Sequence, residues 1–203
     1  MWNPVQKLRK PESSANPPAV PLRRTGIAFA DLKPGASVRF SIDCPLPPYT
    51  GKRASVSSSR EYRFGEDVIR SHVLDFGDGR DFTLTIAEDS QGHYLALSRP
   101  LDVGEQDIWF GRDALSFFME PSSAKTIRCK ADLMDEGAWA AARYAKSVDW
   151  VEGTVSINGG RARRVHYNLL VNEPGEKALE IEHDNDANSN RVYVTVYRPV
   201  SDI

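Results

Sequence analysis

The sequence predicts a mainly β chain of the α+β class. It reads as two similar antiparallel β-meander units, packed as a sandwich or as one continuous sheet, with one main helix in the second unit. Three observations carry this. Apolar residues alternate with period two through most of the chain after residue 36. The 14 Gly and 13 Pro in 203 residues are many for a helix bundle and suit frequent tight turns. The second half also repeats the order of patterns found in the first.

Composition sets the frame. A chain of 203 residues with 40% hydrophobic and 27% charged residues is that of a soluble globular protein. At this length folding removes roughly 70% of the unfolded chain's surface from water, so a core forms without staples. Cys44 and Cys129 stand far apart with no CxxC or Cys/His cluster, which argues against a disulfide framework or zinc knuckle. They read as small buried hydrophobes in a reducing, cytoplasmic compartment. No run approaches the ~18 apolar residues of a membrane span, and the start lacks a secretion signal's apolar core.

Residues 1–24 form the first segment, a basic arm punctuated by five prolines. Five bases against Glu12 give it +4, leaving −6 for the body out of a total of −2. Prolines remove donors and favour extended backbone, so a flexible leader is expected. Trp2, Val5 and Leu8 with those bases offer at most weak contact with a membrane surface, or a tail for a partner.

The first β unit, 25–103, carries the alternations Ser37–Asp43, Phe82–Ile86 and His93–Leu97, with Asp78-Gly79 as a tight turn before Phe82. A connector, 104–124, has room for a short helix from Arg112 to Met119, stopped by Pro121. In the second unit, 125–203, the Ala-rich stretch 131–147 predicts the main helix, capped by Asp132 with Asp135 and Glu136 in its first turn. It offers Leu133, Trp139, Ala140 and Tyr144 as a stripe to cover a sheet face. Strands follow at Glu152–Ile157, Arg164–Val171, Ala178–His183 and Arg191–Tyr197, the first two separated by the turn Asn158-Gly159.

For the hairpin at Pro174-Gly175 two registers compete. An even loop sets Leu169 opposite Glu180; an odd one sets Leu169 opposite Ile181 and Tyr167 opposite His183. If one face must be consistently apolar, the odd loop is expected. It would put His166 across from Asp184 and Asn168 across from Glu182.

The repeat pairs Ser37-Val38-Arg39 with Thr126-Ile127-Arg128, His72 with His166, and residues 82–89 with 177–184. Tyr94…Arg99-Pro100 then matches Tyr193…Arg198-Pro199. Two related units are therefore expected, packed face to face or joined as one continuous sheet.

Chemistry is harder to find. The four histidines show no zinc-helix spacing. Asp184–Asn190 imitates half a calcium loop, but Ser189 and Thr195 stand where glycine and glutamate belong, so it reads as a polar turn. Asp75-Phe76-Gly77 spells a kinase metal motif without its companions and also reads as a turn. Arg161, Arg163 and Arg164 are set against a body charge of −6, which opposes nucleic-acid binding; they read as a solvated strand face partly paired with Glu180 and Glu182.

The function expected is a non-enzymatic binding or adaptor module for a protein, a peptide or a small ligand, without cofactor or metal, able to recruit by strand addition. The alternative is an enzyme or small-ligand carrier with its site in the cleft between the units. There His72 with His166, or Glu88 with Glu182, would converge.

Overall fold

The computed structural model describes residues 32–46, 49–77, 79–89, 92–112, 126–130, 137–173 and 175–199, the side chains of 87–89, 92 and 93 excepted. The 1–24 arm lies outside them, as does the helix expected from Arg112 to Met119 apart from Arg112, which is in a turn. In chain order come β1 (Ser37–Arg39), β2 (Arg53–Phe64), β3 (Asp67–Asp75), β4 (Phe82–Asp89), β5 (Gly92–Leu101), α1 (Val103–Phe110), β6 (Thr126–Arg128), β7 (Arg143–Ile157), β8 (Arg163–Val171), β9 (Lys177–Asp184) and β10 (Ser189–Pro199). All ten strands join one antiparallel sheet in the order β1-β2-β3-β4-β5-β10-β9-β8-β7-β6. The sheet also closes on itself, because the far part of β2 pairs with the far part of β7, from Arg60↔Ile157 to Arg63↔Thr154. Eight strands thus form a ring, with three-residue β1 and β6 as the remaining edges. No helix among the described residues is long and apolar enough to cross a membrane.

Both faces of this sheet carry buried side chains, for different reasons. The outward face carries Leu74, Leu84, Leu95, Leu97, Leu170, Leu179, Ile181 and Val194, all 5% exposed or less. They share one apolar cluster with Phe40, Leu46 and Tyr49 before β2, Trp109 and Phe110 of α1, and Trp139. The connectors therefore fold over the outside of the ring and make the main core there. Burying a Leu or Phe contributes about 1.5–3 kcal/mol, so this layer dominates stability. Arg99 fastens α1 to it, pairing with Glu105 at 2.5 Å and lying 5.5 Å from the Trp109 ring. The inward face is a lumen, treated below.

Three expectations are corrected. The hairpin after β8 takes the even register, with Leu169↔Glu180, Asn168↔Ile181 and His166↔His183. No face need be consistently apolar here, because in a closed ring Glu180 and Glu182 turn inward beside Leu169. The main helix over 131–147 does not form in its described part: 137–139 are turn and 143–147 begin β7, while 131–136 lie outside the described residues. Alanine's helix propensity is small beside the burial of Tyr144, fully enclosed and paired across from Ile127. The turn is held without a helix: Lys177 Nζ donates to the Gly137 and Ala140 carbonyls, and Ala141 N–H to Tyr144 Oη at 2.9 Å. Trp139 and Tyr144 are buried in the outer core all the same. Finally, Arg163 and Arg164 pair with Asp184 and Asp186, at 2.7 and 3.9 Å, rather than with Glu180 and Glu182.

The two runs β1–β5 and β6–β10 follow the same course, and the seams between them join like to like, β2 to β7 and β5 to β10. Ser37 pairs Ser55 and Thr126 pairs Ala145; Ser55 leads to Asp75 and Ala145 to Val171. Carried on, the ladders set Leu74 with Leu170, Phe82 with Leu179, Leu84 with Ile181, and Leu97 with Val192. Each of these is buried and apolar. On this path His72 corresponds to Asn168 rather than His166, and the Tyr-x-x-x-x-Arg-Pro match slips by four residues.

Candidate functional site

A small barrel is usually filled by apolar side chains; here polar and charged ones share the lumen with Phe64, Ile69, Ala96 and Leu169. Its wall alternates with the outer core along each strand: Arg60, Tyr62 and Phe64 from β2, Ser71 from β3, Thr83 and Thr85 from β4, Tyr167 from β8, Glu180 and Glu182 from β9, and Tyr193 and Tyr197 from β10. Together they enclose a cavity of about 60 Å³. A water needs roughly 10–15 Å³ of such space, so there is room for a few waters or a small polar molecule.

Hydrogen bonds span this lumen from one half to the other. Arg60 Nη1 donates to Tyr193 Oη at 2.8 Å, joining β2 to β10. Tyr62 Oη donates to Glu182 Oε2 at 2.7 Å, joining β2 to β9. The other oxygen of Glu182 accepts from Arg191 at 3.0 Å. Ser98, Thr195, Glu180 and Tyr167 form a second chain, Thr195 Oγ1 lying 2.8 Å from Ser98 Oγ and also bonded to Glu180. Burial pushes the Glu180 carboxyl up, with the Glu182 charge adding to it against the hydrogen bonds of Thr195 and Tyr167. Burial likewise pushes Tyr62, Tyr167 and Tyr197 well above the ordinary phenol value, so these side chains stay neutral hydrogen-bonding groups. One donor is left over: Arg60 Nε is buried without a hydrogen-bond partner.

A second hollow opens on the outside where β2 changes partner. β1 leaves its edge at Arg53–Ser55, β7 takes over at Arg60, and the backbone bulges between Val56 and Ser58. The Asn158-Gly159 turn, with Asn158 at φ +51°, reaches over to clamp it: Ser59 N–H donates to Asn158 Oδ1 and Asn158 N–H to the Ser59 carbonyl, both at 2.8 Å. Lys33, Ser59, Glu61, Arg70, His72 and Ser156 line a groove of about 470 Å³. Its acid, Glu61, is already paired with Arg63 and Arg70.

The residues singled out in the sequence do not meet. His72 lies at the floor of the groove, hydrogen-bonded through Nδ1 to Ser59 Oγ at 2.9 Å, and burial, then the Arg70 charge, lowers its pKa. His166 has other surroundings. Its ring stacks on Trp150 at 4.4 Å, its Nδ1 donates to Asn185 Oδ1 at 2.9 Å, and His183 faces it across the ladder. Trp150 itself takes φ +46° in a bulged part of β7, held by Asn168 Oδ1, which accepts its N–H at 2.8 Å. Glu88 pairs with His93 in the β4–β5 ladder, its side chain lying outside the described residues. Glu182 alone of the four belongs to the lumen. The sequence signal for the other lumen groups is period-two spacing, which puts Glu180/Glu182 and Tyr193/Thr195/Tyr197 on one face. Among the described residues no cluster of His, Cys, Asp or Glu has metal-binding geometry. The Asp184 loop is a turn in which Asp184 Oδ1 accepts the N–H groups of Asp186 and Ala187, both at 3.1 Å.

Comparison of the chain with protein-family models, curated proteins and solved structures found no match.

Proposed function

We propose that this protein is a non-enzymatic binding module that holds a small polar ligand in the lumen, between two copies of one β unit. The observation that carries the reading is the group of charged and polar side chains enclosed within the ring. The main apolar cluster lies outside the ring, while buried Arg60 and Glu182 and half-buried Glu180 line a cavity within it. Polar groups cost free energy to bury unless they are satisfied, and an apolar lumen would be the cheaper way to fill such a ring. Eight strands give an interior of the size that holds side chains or one small ligand. Like-to-like seams and matched core positions support the duplication. Ring closure leaves three-residue edges, which favours this mode over strand addition by a peptide. The free thiols of Cys44 and Cys129 agree with a cytoplasmic setting.

An enzyme acting through Glu180 and Glu182 is the second reading. The raised Glu180 next to another carboxyl favours it, and the 60 Å³ cavity leaves it little room for a substrate. Ligand-observed NMR with a panel of polar molecules of up to about six non-hydrogen atoms tests binding. Hits that vanish in Thr85→Leu, which fills the lumen, are expected. No hits, or hits indifferent to Thr85→Leu, would overturn the proposal.

A further inference from the structure

The charge balance of the lumen points to the ligand's class. Arg60 is only 9% exposed, and a guanidinium carries its charge at every relevant pH. Buried charges in proteins are paired, because an isolated one forfeits its hydration. Yet among the described residues no carboxylate lies within ion-pair distance of Arg60; its partners are the neutral phenols of Tyr193 and Tyr62. The two carboxyl groups of the same lumen are committed elsewhere. Glu182 accepts from Tyr62 and Arg191, and Glu180 is tied into the chain with Thr195 and Tyr167. The arginine therefore has a positive charge without a counter-charge and an Nε–H without an acceptor, beside a cavity.

We infer that a small carboxylate, of the size of formate or acetate, enters the lumen and supplies both. The inference rests on the lumen reading above and names its ligand. A carboxylate oxygen accepts the Nε–H as a charge-assisted hydrogen bond, about twice as strong as a neutral one. The hydroxyls of Ser71, Thr83 and Thr85 line the same cavity and can serve the second oxygen. The volume of about 60 Å³ limits the rest of the molecule to a methyl-sized group. A single arginine balances one negative charge, which selects a monocarboxylate over a dianion.

The experiment is a thermal-unfolding titration of the full chain with sodium acetate, against sodium chloride at equal ionic strength and against acetamide, the neutral isostere. Acetate should raise the melting temperature in a saturable way, because a ligand bound only by the native state stabilises it. Acetamide and chloride should not. Arg60→Gln should keep or raise the wild-type melting temperature in chloride and lose the acetate response. Thr85→Leu, which leaves the charge in place and fills the cavity, should lose the response too, and it serves should Arg60→Gln not fold. If acetamide works as well as acetate, the carboxylate class is overturned while the lumen reading stands. If neither acts, the inference is overturned, and the wider ligand panel decides the lumen reading by itself. A response that survives both variants would place the site elsewhere and overturn the inference.

Discussion

Gly153 is the most sensitive point of the ring closure. It sits in β7 opposite Val165, one residue before Thr154, which pairs with Arg63 of β2. A Cβ built there would stand 2.3 Å from Cδ1 of Phe64 and 2.6 Å from the Arg63 carbonyl oxygen, far inside van der Waals contact. Its backbone needs no left-handed conformation, so Gly153→Ala tests the close approach of two strands and nothing else. In an open strand the change would help by roughly 0.5–1 kcal/mol, since glycine loses more backbone entropy on folding. Overpacking costs about 1–3 kcal/mol, and here one offending atom is backbone, which cannot rotate away. A net loss of about 2 kcal/mol is expected, read as a lower urea midpoint with an unchanged slope. Phe64→Leu in the same chain should recover part of it, because the ring contact is relieved and the carbonyl contact is not. Gly153→Ala as stable as wild type, or more so, would mean that β2 and β7 do not meet at this register.

Other substitutions probe other parts. Ile181, fully buried in the outer core, should not tolerate Asp: the unpaired charge is expected to cost more than about 4 kcal/mol and to unfold the body, seen by circular dichroism. A folded, slightly loosened Ile181→Asp protein would show that the outward face is not the core. Glu180 has its carboxyl pushed up in the folded state, so the native protein holds this proton more tightly than the unfolded chain. Its contribution to stability is therefore full at low pH and declines as pH rises above the ordinary carboxylate value toward the raised one. Glu180→Gln should remove that decline, with the variant gaining on wild type as pH rises from 4 to 8; a constant difference would contradict the assignment. Asp102 caps α1 by accepting Glu105 N–H at 2.8 Å, within a capping box. Asp102→Ala should cost about 1 kcal/mol, a fall of roughly 2–4 °C in melting temperature.

Period-two alternation made the strands readable, since β4, β5, β8, β9 and β10 each carry apolar residues on every second position. What it could not supply was the environment of the intervening face. Glu180, Glu182, Tyr193 and Tyr197 share a parity that reads as solvent-facing when the sheet is imagined open. Closure between β2 and β7 turns the same residues inward, and it rests on pairing between segments some ninety residues apart. The register error followed from the same omission. Local preference misled at 143–147, where the outer core claims Tyr144 for a strand. At α1 the capping pair Asp102 and Glu105 was present, but Gly104 and a length of eight residues gave too little helical pattern to notice. His72 and His166 looked equivalent by spacing alone; the ladders separate them.

The central claim is that a small molecule enters the lumen and reaches Arg60. The measurement that tests it most directly is the NMR signal of the Arg60 Nε–H, assigned by its loss in Arg60→Lys and followed during titration with acetate. A saturable shift of that signal, absent in Thr85→Leu, is the predicted result. A signal that stays put while those of exposed arginines such as Arg63 and Arg70 drift would contradict the account.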